Sequence, residues 1–321
     1  MVTYEFGVQD LARTHFAISP LFELTQSLRA MVEPSRSAFH LPWIEGLRGR
    51  LGGLDLLPAI ELVPPRGYTP DFIAPPPSTP LAEIGDELDL MRRTSPARVR
   101  KETGIRFGGR RVPASVQPLL DHPRRELGRL CDTFAEYWER AIEPHWPRIK
   151  ALLRADVEYR SRRLADGGAD ALFADLHHTV EWERGELRVD SQYSVRAPLG
   201  GQGLLLVPSA FACQRPMTIT DAPWQPTLVY PVRAVATLWE SAPTSPQALA
   251  ALLGGTRADV LTALEAPRST TELARRLDVS AGGVSQHLGV LHEAGLVSAQ
   301  RVGRSVLYVR TPLADALVRG D

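Results

Sequence analysis

The chain has 321 residues, 44% hydrophobic and 23% charged, and its 37 basic and 37 acidic side chains cancel to zero. That length suggests about two domains, and the balance excludes a uniformly basic coat protein but not a module whose positive charge is local. The longest apolar run, Gly203 to Cys213, is too short for a bilayer and is broken by Pro208. No basic-then-apolar leader opens the sequence, and Cys131 and Cys213 cannot build a disulfide framework. A cytoplasmic protein with no membrane segment is expected.

Residues 1–240 read as one large domain of mixed elements. Ser19-Pro20 and Thr79-Pro80 each look like a helix cap followed by proline at the first helical position, predicting helices from Pro20 to about Val32 and from Pro80 to about Arg92. Leu127, Leu130, Cys131, Phe134, Trp138 and Ile142 recur at helical spacing and predict a helix ending near Pro144. A second helix carries Ile149, Leu152, Leu153, Val157 and Leu164 and stops at Gly167-Gly168. Strand-like segments follow. His178 to Glu183 and Glu186 to Asp190 form a hairpin around Arg184-Gly185, and Leu204 to Val207 and Thr227 to Tyr230 are apolar runs. Gly200-Gly201-Gln202-Gly203 precedes a strand, so it reads as a turn and not a phosphate loop. The fold class is α+β.

The composition changes sharply near residue 246. Of 27 prolines only Pro267 and Pro312 lie beyond it, and of 22 aromatics only Tyr308 lies beyond Trp239. Ser241-Ala242-Pro243-Thr244-Ser245-Pro246 reads as a linker, which makes 241–246 the boundary and 247–321 a second, small domain. Arginine supplies 35 of the 37 basic residues, the lysines being Lys101 and Lys150. That bias reads as codon usage and not as a nucleic-acid signal.

The small domain carries the informative pattern. Helices are expected around Leu249, Leu252 and Leu253 and around Val260, Leu261 and Leu264. Ser269-Thr270-Thr271-Glu272 matches a capping box, and the helix it opens ends in the short break Asp278-Val279-Ser280. In the next helix, 281–294, Val284, Leu288 and Leu291 share one face, while Gly282, Ser285, Gln286 and Gly289 lie opposite and His287 flanks them. Two helices joined by a three-residue turn, with a polar outward face on the second, are what a helix-turn-helix requires. A hairpin over 296–310 with Gly303-Arg304 at its tip would form a wing, and Arg301 and Arg304 could reach phosphate or a minor groove. Between Arg268 and Arg310 six arginines face three acids, a local charge of +3.

The run Ser269 to Ser280 resembles the first helix and turn of ArsR-type winged-helix repressors, and Val284 to Val297 resembles that family's recognition helix and its exit into the wing. The resemblance spans about residues 247 to 318. The large domain is similar to an uncharacterised N-terminal domain that precedes this winged helix in actinobacterial regulators. Asp10-Leu11-Ala12-Arg13, Leu206-Val207-Pro208-Ser209 and Pro223 to Pro231 carry that likeness.

The resemblance implies a homodimeric repressor that binds double-stranded DNA at an inverted repeat. Ser285 and Gln286 would read bases, and Ser280, Gly282, His287, Arg301 and Arg304 would hold the backbone. The family's metal sites are missing: Leu273-Ala274-Arg275-Arg276-Leu277 has no thiolate, and Pro312 to Val318 offers only Asp315. A non-metal, small-molecule effector is therefore expected in the large domain, where Trp182, Tyr193, Trp224, Tyr230 and Trp239 are the candidate pocket aromatics.

His177-His178 lacks ligand spacing, and no Walker loop, Gly-x-Ser-x-Gly elbow or paired zinc histidines occurs. No catalytic residue, cofactor or metal is assigned, and the chain is read as not an enzyme. The alternatives are a winged helix that docks protein and a regulated enzyme with its active site in 1–240.

Overall fold

A computed structural model describes residues 1–191, 193–212, 215–239, 246–302 and 305–319. The chain divides into two compact units, Met1–Trp239 and Glu240–Asp321, and both combine helix and sheet.

In the N-terminal unit the helix Pro20–Val32 starts as its sequence predicts. Ser19 is extended, its hydroxyl accepts from the Phe22 amide at 3.1 Å, and Pro20 fills the first position. The Glu87 carboxylate accepts from the Ser19 hydroxyl and from the Leu21 amide at 2.7 Å, so another orphan amide of this buried helix end is satisfied. Thr79-Pro80 behaves differently. The Pro80 carbonyl accepts from the Ile18 amide at 2.9 Å and Leu81 bridges to Ile18, so this stretch is taken up in extended pairing and the helix starts only at Ile84, running to Arg92.

The apolar face read from Leu127 to Ile142 is buried, but the helix Pro123–Tyr137 passes into a π turn, Trp138–Ile142, and a 3-10 turn, Glu143–His145. The next helix, Trp146–Phe173, is broken at Gly168 (φ 66°, ψ −153°) and then resumes. The glycine pair interrupts the helix where a stop was expected, and Leu172 and Phe173 carry it on because both are fully buried.

Two four-stranded sheets follow. In one, Val180–Glu183, Glu186–Val189, Val2–Glu5 and Val195–Pro198 lie side by side; Val2–Glu5 runs antiparallel to Glu186–Val189 and parallel to Val195–Pro198. The first two form the expected hairpin, with Arg184 and Gly185 both at positive φ as a type I′ turn demands. In the other, the order is His15–Phe16, Leu205–Ser209, Thr227–Pro231 and Met217–Ile219, and the two buried apolar runs pair in parallel. One hydrophobic cluster surrounds Leu21, Phe22, Phe72 and Phe134, and a second surrounds Tyr4, Phe173, Leu187 and Tyr230.

The C-terminal unit consists of helices Pro246–Leu253, Gly255–Ala263, Thr270–Leu277, Ala281–Glu293 and Pro312–Arg319, with a three-stranded sheet. Pro246, read as the end of the linker, instead opens the first helix, and the rest of that stretch lies outside the described residues. The sheet order is Val297–Val302, Ser305–Arg310, Arg268–Ser269, all antiparallel. Val260, Leu261, Leu273, Val284, Leu288 and Leu291 form its core. Among the described residues no helix is long and apolar enough to cross a membrane.

Candidate nucleic-acid interface

The helix Thr270–Leu277 begins with a complete capping box. The Glu272 amide donates to the Ser269 hydroxyl at 3.3 Å, and the Glu272 carboxylate accepts from the Ser269 amide at 2.8 Å. Those bonds hold the Glu272 carboxyl below the usual carboxylate range. The helix ends on Asp278 in the left-handed region (φ 54°), with the Val279 amide donating to the Ala274 carbonyl at 3.1 Å. An aspartate tolerates that conformation better than most residues, so the chain turns sharply without a glycine.

Ser280 caps the next helix, Ala281–Glu293, accepting from the Gly283 amide at 3.1 Å. Val284, Leu288 and Leu291 are buried beneath it. Ser280, Gly282, Ser285, Gln286 and Gly289 are exposed on the outside, and His287 is half-buried at the flank. The helix closes in a Schellman arrangement: Gly295 is at φ 70°, its amide donates to the His292 carbonyl, and the Leu296 amide donates to the Leu291 carbonyl at 2.9 Å.

Directly beyond it the strands Val297–Val302 and Ser305–Arg310 form the hairpin, pairing Val297 with Arg310 and Val302 with Ser305. Arg268–Ser269 adds a third strand against Leu307 and Tyr308, which anchors the hairpin to the start of the first helix of the motif. Thr311 fixes the base, its amide donating to the Leu296 carbonyl at 3.0 Å and its hydroxyl to the Gly295 carbonyl at 2.8 Å.

The basic residues divide into two sets. Arg268 donates to the Ala263 carbonyl at 3.0 Å, and Arg310 pairs with Asp315 at 2.9 Å, so both are engaged within the unit. Arg275, Arg276 and Arg301 are exposed. Arg304 lies outside the described residues. From sequence Arg275 and Arg276 register as charge only; their place in the last exposed turn of the first motif helix makes them candidates for phosphate contact. Their adjacency after the buried pair Leu273-Ala274 was the available signal.

The five aromatics proposed for an effector pocket do not converge. Trp182 packs on Phe6 and Phe173, each with ring centroids 5.0 Å away. Tyr230 is fully buried against Arg160, Trp224 lies under Arg98 at 5.2 Å, and the Trp239 indole donates to His40 at 2.8 Å. These four rings fill packing sites, the commonest use of large aromatics. Only Tyr193, which is exposed, lines the cavity of about 490 Å³ in this unit.

That cavity is walled by one side of the helix Pro20–Val32, by residues 63–74, and by segments near 190 and 215. Cys131 is buried, its thiol pushed up to about 12 by burial, while Cys213 lies outside the described residues. His177 and His178 sit in a turn with ring centroids 4.0 Å apart, and His177 bonds to Thr179. Among the described residues no group of three or more His, Cys, Asp or Glu side chains could hold a metal ion.

A capped helix-turn-helix with a β-hairpin behind it defines the class of the C-terminal unit. Residues 252–298 match the model of a helix-turn-helix domain, which points to DNA binding and transcription regulation. Residues 96–236 match a family of unknown function (DUF5937). No curated protein and no solved structure matches the chain.

Proposed function

We propose that this chain is a cytoplasmic, ArsR-type transcriptional regulator, a homodimeric repressor that binds an inverted repeat and whose N-terminal unit senses a small non-metal effector. The observation that carries the reading is the division of the helix Ala281–Glu293, with Val284, Leu288 and Leu291 buried and Ser285 and Gln286 exposed beside the hairpin.

Ser and Gln carry hydrogen-bonding groups that match base edges in a major groove, and small neighbours such as Gly282 and Gly289 let the backbone approach. Ser280, His287 and the arginines of the hairpin and first motif helix would fix register on phosphates. Two copies would place their helices in successive major grooves, about 34–36 Å apart. In this reading the N-terminal unit is a sensor and not an enzyme.

Fluorescence anisotropy of the full chain against duplex from its own upstream region, with a scrambled duplex as control and across a salt series, tests the proposal. Selective binding that weakens steeply with salt is expected. Equal, weak binding to both duplexes would overturn sequence-specific regulation. Binding to a protein with no measurable duplex affinity would assign the winged helix to docking instead.

A further inference from the structure

We propose that the cavity of the N-terminal unit binds a small organic monocarboxylate, whose anionic head pairs with Arg29 and whose apolar body lies against Phe211 and Met217. This gives the chemical class of the effector invoked above, and its regulatory meaning rests on that reading.

The volume, about 490 Å³, is that of a site for a small molecule. Arg29 projects from the helix Pro20–Val32 into its wall. Its Nη1 donates to Gln26 at 3.2 Å and its Nη2 to the Thr69 hydroxyl, both neutral oxygens, and its Nε is shielded from solvent with no hydrogen-bond partner. Among the described residues no carboxylate lies within 4.0 Å of this guanidinium.

Two of the three acids that line the cavity are already engaged by other arginines. Glu33 pairs with Arg36 at 3.1 Å and Arg66 at 3.8 Å, and Asp190 pairs with Arg215 at 3.6 Å. Asp71, the remaining acid, is pushed up to about 7 by burial and then by Glu102 and Asp221, so near neutrality it is partly uncharged. Among the described residues Arg29 is the cation of this wall that has no carboxylate within reach.

The same unit shows what a purely structural buried arginine looks like here. Arg160, fully buried where Arg29 is half-buried with its Nε shielded, donates to Asp156 and to Asp175, each at 3.0 Å. A buried charge is tolerated when paired and costly when not. Burial depresses Arg29 to about 10, and the nearby Arg106 adds repulsion, so an anion entering the cavity would relieve both. A guanidinium without a carboxylate partner calls for an anionic head, and its planar fork suits a single carboxylate. Phe211 and Met217 in the same lining give an organic body an apolar surface to rest on.

The test uses the full chain and thermal unfolding followed by tryptophan fluorescence, since all six tryptophans lie in the N-terminal unit. The probes are octanoate and 4-phenylbutanoate at millimolar concentration, each against its neutral amide. At least one carboxylate should raise Tm by roughly 3 °C or more, with its amide giving no shift. Arg29→Gln should abolish that shift while leaving the ligand-free Tm unchanged or higher, and Arg124→Ala, at an exposed arginine outside the cavity lining, should keep the shift.

The proposal is overturned if neither carboxylate shifts Tm, if the amides act equally, or if Arg29→Gln still responds. Should Arg29→Gln fail to fold, the comparison of carboxylate with amide on the native chain decides alone. Carboxylate binding that leaves duplex affinity unchanged would keep the site and remove its effector role. Selective duplex binding without any carboxylate response would overturn this inference and leave the regulator standing.

Discussion

The Gly203 amide donates to the Asp10 carboxylate at 2.9 Å, while the other oxygen of Asp10 accepts from the Gly7 amide at 2.7 Å. One buried acid thus ties two distant loops together beside the parallel strands. Gly203 has φ +75°, and a Cβ there would stand 2.4 Å from the Arg13 carbonyl carbon. Gly203→Ala should therefore destabilise the N-terminal unit by at least about 2 kcal/mol, through backbone strain and a clash that no rotamer relieves. Urea unfolding followed by tryptophan fluorescence checks it; an unchanged midpoint would show that Arg13 yields freely.

The N-terminal unit should lose stability as pH rises. Burial pushes Glu23 up to about 7 and Glu87 to about 8, against an ordinary 4.5. The folded chain therefore binds more protons than the unfolded one between about 4.5 and 8, and folding becomes less favourable across that window as pH increases. For Glu23 the effect is on the order of 3 kcal/mol. Tm measured by tryptophan fluorescence should fall from pH 5 to pH 9. Glu23→Gln, which can keep the bond from the Ala210 amide, should flatten that fall.

Gly282 and Gly283 stand side by side but differ in their surroundings. A Cβ at Gly282 meets nothing within 4 Å, whereas one at Gly283 would press on the Ser280 capping hydroxyl at 3.2 Å. Gly282→Ala should stabilise the C-terminal unit by up to about 1 kcal/mol. If it also weakens duplex binding, the glycine serves close backbone approach to DNA. Circular dichroism melting alongside anisotropy separates the two effects, and unchanged affinity would discount the approach.

Base reading and phosphate contact should separate by mutation. Gln286→Ala should narrow the gap between operator and scrambled duplex by about 1–3 kcal/mol. Arg276→Ala and Arg301→Ala should each lower affinity for every duplex and reduce the slope of log K against log salt by about 1. Arg304→Ala is expected to act in the same way. A salt slope untouched by these arginine substitutions would remove the hairpin and first motif helix from the interface.

The C-terminal elements were legible because each is specified locally. Ser269, Glu272, Ser280 and Gly295 occupy caps whose bonds close within a few residues, and Val284, Leu288 and Leu291 declare their face by spacing alone. In the N-terminal unit, locally written signals also held, such as Ser19-Pro20 and the Arg184-Gly185 turn. Thr79-Pro80 did not, because Ile18, some sixty residues earlier, pairs with that backbone. The aromatics misled for a related reason: ring type reports size and apolarity, and only tertiary contacts decide whether a ring lines a cavity or fills a core. Arg29 carried no local mark, since what distinguishes it is that no carboxylate among the described residues reaches it in three dimensions.

The placing of Val2–Glu5 between Glu186–Val189 and Val195–Pro198 also sets an order of assembly. On the ribosome this strand emerges before either partner and waits for residues made nearly a whole unit later. Its sheet cannot close until both have appeared, and such long-range pairing is slow. The helix-turn-helix unit needs only contacts within its own short span, the longest strand pairing being Arg268 with Tyr308. A freshly made chain should therefore hold two halves that mature at different speeds, with the larger one exposing an unpaired strand edge until late in its own synthesis.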